Sequence, residues 1–275
     1  MLTIRYDGSA FHGWQRQPDK RTVQGTLEEA LSKFCDQKIT IDGTSRTDAG
    51  VHAYGQRASF KGDFGIPTDK IKLAVNNYLQ GGMNQLSQTQ DVEIIDVKET
   101  PLSFHARFDS KGKTYRYVIS NEAEPDIFRR NYAYFVREKL NIDLMREGAK
   151  YIIGTHDFKS FEASGSQERE TTVRTVSELT IERSFGLRPQ DDMIATSGQY
   201  RNCHSERSKE SDIIIEITGD GFLYNMVRII VGTLVEVGLE KKKPEDVKDI
   251  IEKKDRTFAG HTAPAAGLYL KEIYY

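Results

Sequence analysis

The first hundred residues alternate strand and helix patterns in an order that restricts the fold more than any other feature of the chain. Residues 2–6 read as a strand that ends at the turn pair Asp7-Gly8. Val23, Leu27, Ala30, Leu31 and Phe34 recur at helical spacing, and Thr26 with Glu29 offers a capping box inside that segment. Ile39 and Ile41 suggest a short strand, and residues 53–60 a longer one beyond the loop 43–52. Thr68 can cap a helix bearing Ile71, Val75 and Leu79 on one face, and residues 92–97 alternate as a strand. Strand, helix, strand, strand, helix, strand is close to the split β-α-β arrangement of ferredoxin-like units.

The remainder repeats the theme in kind. Strands are expected at 114–120, 171–181, 212–218 and 268–274. Asn141 can cap a helix that runs to Ile153 and stops at Gly154. Residues 222–237 are almost wholly apolar, as in a helix buried between a sheet and another surface. Pro244 opens a short charged helix. The expected class is α+β (α/β): two ferredoxin-like halves, 1–106 and 107–275, each a mainly antiparallel sheet with helices on one face and a cleft between them. Residues 186–211 are polar and without period, so they read as a long mobile loop inserted between two strands.

Composition excludes several classes. Hydrophobic residues at 37% and aromatics at 10% fit a folded chain with a sizeable core. Nowhere do about eighteen apolar residues follow one another, and the opening strand leaves no room for a leader, so neither a membrane span nor a targeting segment is expected. Two distant cysteines, Cys35 and Cys203, argue for a reducing, cytoplasmic compartment and against a zinc site. The net charge of −2 gives no global attraction to nucleic acid. Basic side chains do cluster at Arg16, Lys20 and Arg21, at Arg107, Lys111, Lys113 and Arg116, and at Arg129 and Arg130. Local clusters suffice for phosphate contact, although they equally describe solvated faces.

There is no P-loop, HExxH, GxSxG or GxGxxG after a strand, and no pair of the six histidines has metal-ligand spacing. No metal or cofactor is therefore expected. What stands out is Gly43-Thr44-Ser45-Arg46-Thr47-Asp48-Ala49-Gly50-Val51-His52. In an extended segment Arg46 and Asp48 point to the same side and can share a cleft. A neighbouring guanidinium is expected to lower the carboxylate's pKa and keep it ionised, as a nucleophile requires. Taken alone, the loop fits first an ordinary turn in which Asp48 caps local amides. Arg228, within the apolar 222–237 stretch, is a costly charge that needs an acidic partner or an open cleft.

The loop has company. Tyr6-Asp7-Gly8, Phe11-His12-Gly13-Trp14-Gln15, Thr22-Val23-Gln24 and Arg46-Thr47-Asp48-Ala49-Gly50-Val51-His52 follow one another in the first half. Phe104-His105-Ala106-Arg107-Phe108, Lys113-Thr114-Tyr115-Arg116-Tyr117 and Gly154-Thr155-His156-Asp157-Phe158 come next. Phe222-Leu223-Tyr224-Asn225-Met226-Val227-Arg228, Gly232-Thr233-Leu234 and the run from Ala263 to Leu270 close the series. In order and spacing this set resembles the tRNA pseudouridine synthase A family over nearly the whole chain.

The resemblance implies an isomerase that converts uridines 38–40 of the tRNA anticodon stem-loop to pseudouridine, working as a homodimer without cofactor. It implies that Asp48 is the nucleophile, that Arg46 positions the nucleotide, that Tyr115 stacks on the target base, and that Arg228 pairs with Asp48. Leu268 is implied as an apolar wall of the pocket. Phe11 and Trp14 are expected to serve packing or RNA-loop contact. Two departures mark this chain: Ser45 stands where the family usually has glycine, and residues 80–90 replace a short Leu-Pro link. Other readings remain: an RNA-binding protein without catalysis, an enzyme for another structured RNA, or a structural dimer.

Overall fold

The computed structural model describes residues 1–35, 37–62, 65–81, 91–165, 170–185 and 211–275. The insertion expected at 186–211 lies outside the described residues except for Ser211, as does 82–90 of the unusual link. The first half runs β1 (Leu2–Tyr6), α1 (Val23–Cys35), β2 (Asp42–Gly43), β3 (His52–Ser59), α2 (Thr68–Leu79) and β4 (Val92–Val97). The second runs β5 (Gly112–Ser120), β6 (Tyr134–Phe135), α3 (Ile142–Ala149), β7 (Gly154–Asp157), β8 (Val173–Phe185), β9 (Ser211–Gly219), α4 (Met226–Gly238), α5 (Asp246–Lys253) and β10 (Leu268–Tyr274).

The ten described strands form one mainly antiparallel sheet in the order β4-β1-β3-β10-β5-β9-β8-β7, with β2 on β3 and β6 on β5. The C-terminal strand joins the two halves. β10 lies parallel to β3, Tyr269 opposite His52, and antiparallel to β5, Leu270 opposite Tyr115. Strand alternation then sorts the two faces. Tyr115, Tyr117 and Ile119 of β5, with Ile213, Ile215 and Ile217 of β9, join Leu27, Val75, Met145, Ile230 and Val247 of the five helices in one large core. The intervening Val118 and Tyr269 turn to the opposite face and pack with Ala133, beside Tyr54 and Ile214. The helices thus cover one face of a mixed α/β sheet.

Several local expectations need correction. α1 is capped by Thr22, whose Oγ1 accepts from Gly25 N–H at 3.3 Å, so Thr26 lies inside the first turn and cannot cap it. Glu29 instead accepts from the Tyr78 hydroxyl of α2. Ile39 and Ile41 are buried but make no strand. Their amides are satisfied by α1 side chains, Ile39 N–H by Ser32 Oγ and Ile41 N–H by Glu28 Oε1, so they need no ladder partner. Pro67, with no side-chain bond, precedes α2, and the Thr68 hydroxyl goes to Glu99. Asn141 does cap α3, accepting from Leu144 N–H at 3.3 Å, but the helix ends at Ala149 and tightens into i→i+3 turns. The apolar stretch from Phe222 becomes helical only at Met226, because Asn225 sits in the left-handed region at φ 57°.

Candidate active site

The loop between β2 and β3 holds Asp48, and the segment 8–14 braces it from behind. Trp14 N–H donates to Thr47 O at 3.0 Å and Gly50 N–H to Phe11 O at 3.4 Å. Phe11 and Trp14 are buried, so they serve packing. Gly13, at φ +86°, comes so close that a Cβ would stand 2.7 Å from Thr47 O, and Gly50 turns the chain at φ +77°. Both positions demand glycine. Within the loop the side chains alternate: Ser45 and Thr47 are buried, while Arg46 is exposed and Asp48 half-buried. Thr47 Oγ1 pairs with the Tyr6 hydroxyl at 2.7 Å, and Ser45 Oγ with the Tyr115 hydroxyl at 2.7 Å.

Asp48 does not cap its own turn. The turn closes through backbone, Val51 N–H to Asp48 O at 3.1 Å, and the carboxylate faces Arg228 of α4, with Nη1 3.5 Å from Oδ2. Arg228 is fixed more closely by neutral groups: Nε donates to Ala263 O at 2.7 Å and Nη1 to Asn225 Oδ1 at 2.7 Å. Side-chain exposures of 17% for Arg228 and 28% for Asp48 leave the pair partly open, neither sealed nor fully solvated.

The electrostatics differ from the expectation drawn from the sequence. Burial pushes the Asp48 carboxyl above the usual carboxylate range, and Arg228 pulls it down without prevailing. One shared guanidinium at 3.5 Å does not replace the water the carboxylate has lost. Arg46 contributes no bond to Asp48 among the described residues; its side chain is exposed to solvent.

Tyr115 of β5 is buried beside this pair, close enough for the Asp48 charge to act on it. Its phenol is pushed up to about 12, chiefly by burial, with the Ser45 hydrogen bond pulling down and Asp48 adding to the rise. Phe222, from the loop between β9 and α4, packs edge-on against the Tyr115 ring at 5.3 Å. Leu268 begins β10 opposite Tyr117, buried in the main core. The Tyr117 hydroxyl donates to Pro264 O, tying β5 to the segment that holds Arg228.

The fold therefore brings Asp48, Arg228 and Tyr115 together from positions up to 180 residues apart. Arg46 is exposed and apart from this group of contacts, and Leu268 lies buried opposite Tyr117. Sequence reasoning missed Asn225, the Ala263 carbonyl, Gln56 and Phe222. Asn225 did leave a signal, three residues before an arginine in an otherwise apolar helix; a backbone carbonyl leaves none. Four of the nine residues in the basic clusters are tied up in ion pairs: Arg16 to Glu28, Arg21 to Asp91, Arg116 to Glu216, and Arg129 to Asp212. No helix among the described residues is long and apolar enough to cross a membrane.

The class is an RNA-modifying isomerase: a model of the tRNA pseudouridine synthase family matches residues 2–109 and 149–275, and the mixed α/β sheet is consistent with it. The chain belongs to that family, which isomerises uridine to pseudouridine in tRNA. Among curated relatives, tRNA pseudouridine synthase A 2 of Clostridium tetani is 43% identical over 277 residues, spanning the whole of this chain and 97% of its own. The tRNA pseudouridine synthase A of Caldicellulosiruptor bescii is also 43% identical, over the whole of this chain and 98% of its own. That of Acetivibrio thermocellus matches equally, at 43% over 274 residues.

Proposed function

We propose that this chain isomerises uridines 38–40 in the anticodon stem-loop of tRNA, with Asp48 as the catalytic nucleophile. The observation that supports this most is the Asp48–Arg228 pair at 3.5 Å beside Tyr115, a constellation that RNA binding alone would not require. Residues 1–106 form the domain that carries the Asp48 loop, and residues 107–275 the domain that supplies Arg228 and Tyr115.

The reaction breaks the N-glycosidic bond, turns the uracil over and rejoins it to the ribose through C5, so atoms are rearranged and none is gained. The Asp48 carboxylate attacks either C1′, as glycosidase carboxylates do at an oxocarbenium-like centre, or C6 of the base. In both routes the bond to Asp48 is transient, displaced as C5 attacks C1′ or eliminated from C6 after the rejoining. The C1′–C5 bond thus replaces the C1′–N1 bond, the C5 proton leaves while N1 gains one, and the carboxylate is regenerated. Arg228 offsets the carboxylate's charge before attack and keeps it aimed at the cleft. Everting the base from a stem costs roughly a few kcal/mol, and stacking on Tyr115 returns about 1–3 kcal/mol. Phe222, edge-on to the Tyr115 ring at 5.3 Å, is a neighbour of that stacking surface. Arg46, exposed at the rim, meets the RNA backbone, and Leu268 backs the pocket. Homodimerisation and a cytoplasmic location follow the resemblance and the two widely spaced cysteines.

The deciding experiment is release of tritium from C5-labelled uridine in tRNA. Wild type turns over, Asp48→Ala does not, and both bind tRNA. Turnover by Asp48→Ala removes the nucleophile assignment; tRNA binding by a wild type that releases nothing points to a binding module. Mapping the modified positions tests the anticodon stem-loop.

A further inference from the structure

Ser45 occupies an unusual place in the loop. Its backbone is clamped from both sides by Gln56, which is wholly buried: Ser45 N–H donates to Gln56 Oε1 at 3.2 Å, and Gln56 Nε2 donates to Ser45 O at 2.7 Å. One side-chain amide thus does for this residue what a neighbouring strand would do. The Cβ position is thereby set, and the hydroxyl is aimed at β5.

Two side chains of β5 grip that hydroxyl. Tyr115 Oη is 2.7 Å from Ser45 Oγ, and Lys113 Nζ donates to the same oxygen at 3.4 Å. Lys113 and Tyr115 are two apart on one strand, so they project from the same face. A lysine ammonium can only donate, so Ser45 Oγ accepts from Lys113, while in the pair with Tyr115 either hydroxyl can be the donor. Tyr115 is consequently held at both ends, by its Cα in the sheet and by its hydroxyl on the Asp48 loop. Ser45 and Asp48 stand three positions apart in that loop. The phenol is the strut that sets how far the carboxylate stands from the ring.

We propose that Ser45 is a positioning residue for catalysis, fixing through Tyr115 and Lys113 the separation between the Asp48 carboxylate and the surface on which the target base rests. This deepens, and rests on, the assignment of Asp48 and Tyr115 to the reaction. Reacting groups misplaced by about 1 Å lose on the order of a hundredfold in rate, so a hydroxyl that touches no substrate can control turnover. Glycine at this position could keep the Gln56 clamp, which uses only backbone atoms, and would lose the strut alone.

A double-mutant cycle tests it, using single-turnover tritium release at saturating tRNA. Ser45→Ala and Ser45→Gly should each slow the step about ten- to hundredfold, with KM within about threefold of wild type and a cooperative melt that shows the fold is kept. Lys113→Met should give a smaller loss. In a Tyr115→Phe background, Ser45→Ala should cost no more than Lys113→Met does, because the phenol oxygen is gone and only the lysine contact remains to be lost. Full rate in both Ser45 variants, or losses that multiply in the double variant, would overturn the proposal. If Ser45→Ala does not fold, Ser45→Gly completes the same cycle. Failure of the underlying assignment shows separately, as tritium release by Asp48→Ala.

Discussion

The Arg228 guanidinium stands 3.5 Å from Asp48 Oδ2, yet its position does not depend on that carboxylate. Asn225 Oδ1 and the Ala263 carbonyl each hold it at 2.7 Å, and both belong to its own half of the chain. The cation is thus placed first, and the loop delivers Asp48 to it. This order explains why burial outweighs the ion pair in the Asp48 carboxyl. A guanidinium whose shorter bonds go to neutral acceptors gives the carboxylate only part of its field.

Replacing Arg228 with methionine should therefore leave the fold intact while slowing turnover by about a hundredfold, the usual loss when one preorganised charge is taken from a reacting centre. Circular dichroism checks the first part and tritium release the second. Because Arg228 lowers the Asp48 pKa, its removal should also move the acid limb of the pH–rate profile upward. A wild-type rate in Arg228→Met, or an acid limb that moves down, contradicts the pairing.

Asp48 itself should weaken the fold that presents it. Its folded pKa lies above the unfolded value of about 3.9, so the folded state binds a proton more readily than the unfolded chain. The favourable contribution of that proton is present at low pH and is lost as pH rises through the folded pKa. At pH 7 the buried carboxylate is a net cost, and Asp48→Asn should melt higher than wild type while being inactive. The difference should shrink as pH falls toward 4. Thermal melts of both proteins between pH 4 and 7 measure it; a lower Tm for Asp48→Asn at pH 7 would show that the ion pair prevails.

How much of this was legible in the sequence depended on range. β1, β3, β4 and β10 follow from alternation, and the helices α1, α2, α3 and α5 from period and punctuation, because those signals are local. Ile39 and Ile41 misled because two β-branched residues suggest a strand, whereas α1 side chains had already satisfied their amides. The start of α4 misled because nothing in Phe222-Leu223-Tyr224 announces that Asn225 is left-handed. In the site, Asp48, Tyr115 and Arg228 were reachable through motif order. The direction of the Asp48 pKa was not, since spacing shows a nearby arginine but not the water lost on burial. Ser45 was visible only as a departure, and its partner Tyr115 lies 70 residues away.

On the other sheet face, Glu216 of β9 accepts from Arg116 Nε at 2.8 Å and from Lys271 Nζ at 2.7 Å, linking three adjacent strands. Burial raises its carboxyl, but Lys271 and Arg116 prevail and hold it below the usual glutamate value. With a depressed folded pKa, the stabilisation is present above the unfolded value of about 4.3 and is lost as pH falls through the folded one. Glu216→Gln should thus lower Tm at pH 7 and differ little from wild type near pH 3. Added salt should narrow the gap at pH 7. Equal melts at pH 7 would mean the network contributes nothing to stability.

Asn225 joins backbone geometry to the chemistry most directly. Its φ of 57° is tolerated by asparagine and glycine and costs other residues about 1–2 kcal/mol. Its Oδ1 is also the 2.7 Å acceptor for Arg228 Nη1. The two roles separate by substitution. Asn225→Gly keeps the backbone and removes the acceptor, so stability should hold within about 0.5 kcal/mol while turnover drops. Asn225→Ala strains the entry to α4 as well, and should lose about 1–2 kcal/mol by urea denaturation. Both variants should show the same reduced rate of tritium release, since both leave Arg228 to Ala263 and Asp48 alone. If Asn225→Gly keeps full activity, the carbonyl of Ala263 suffices to hold the guanidinium, and the asparagine is there only for the turn.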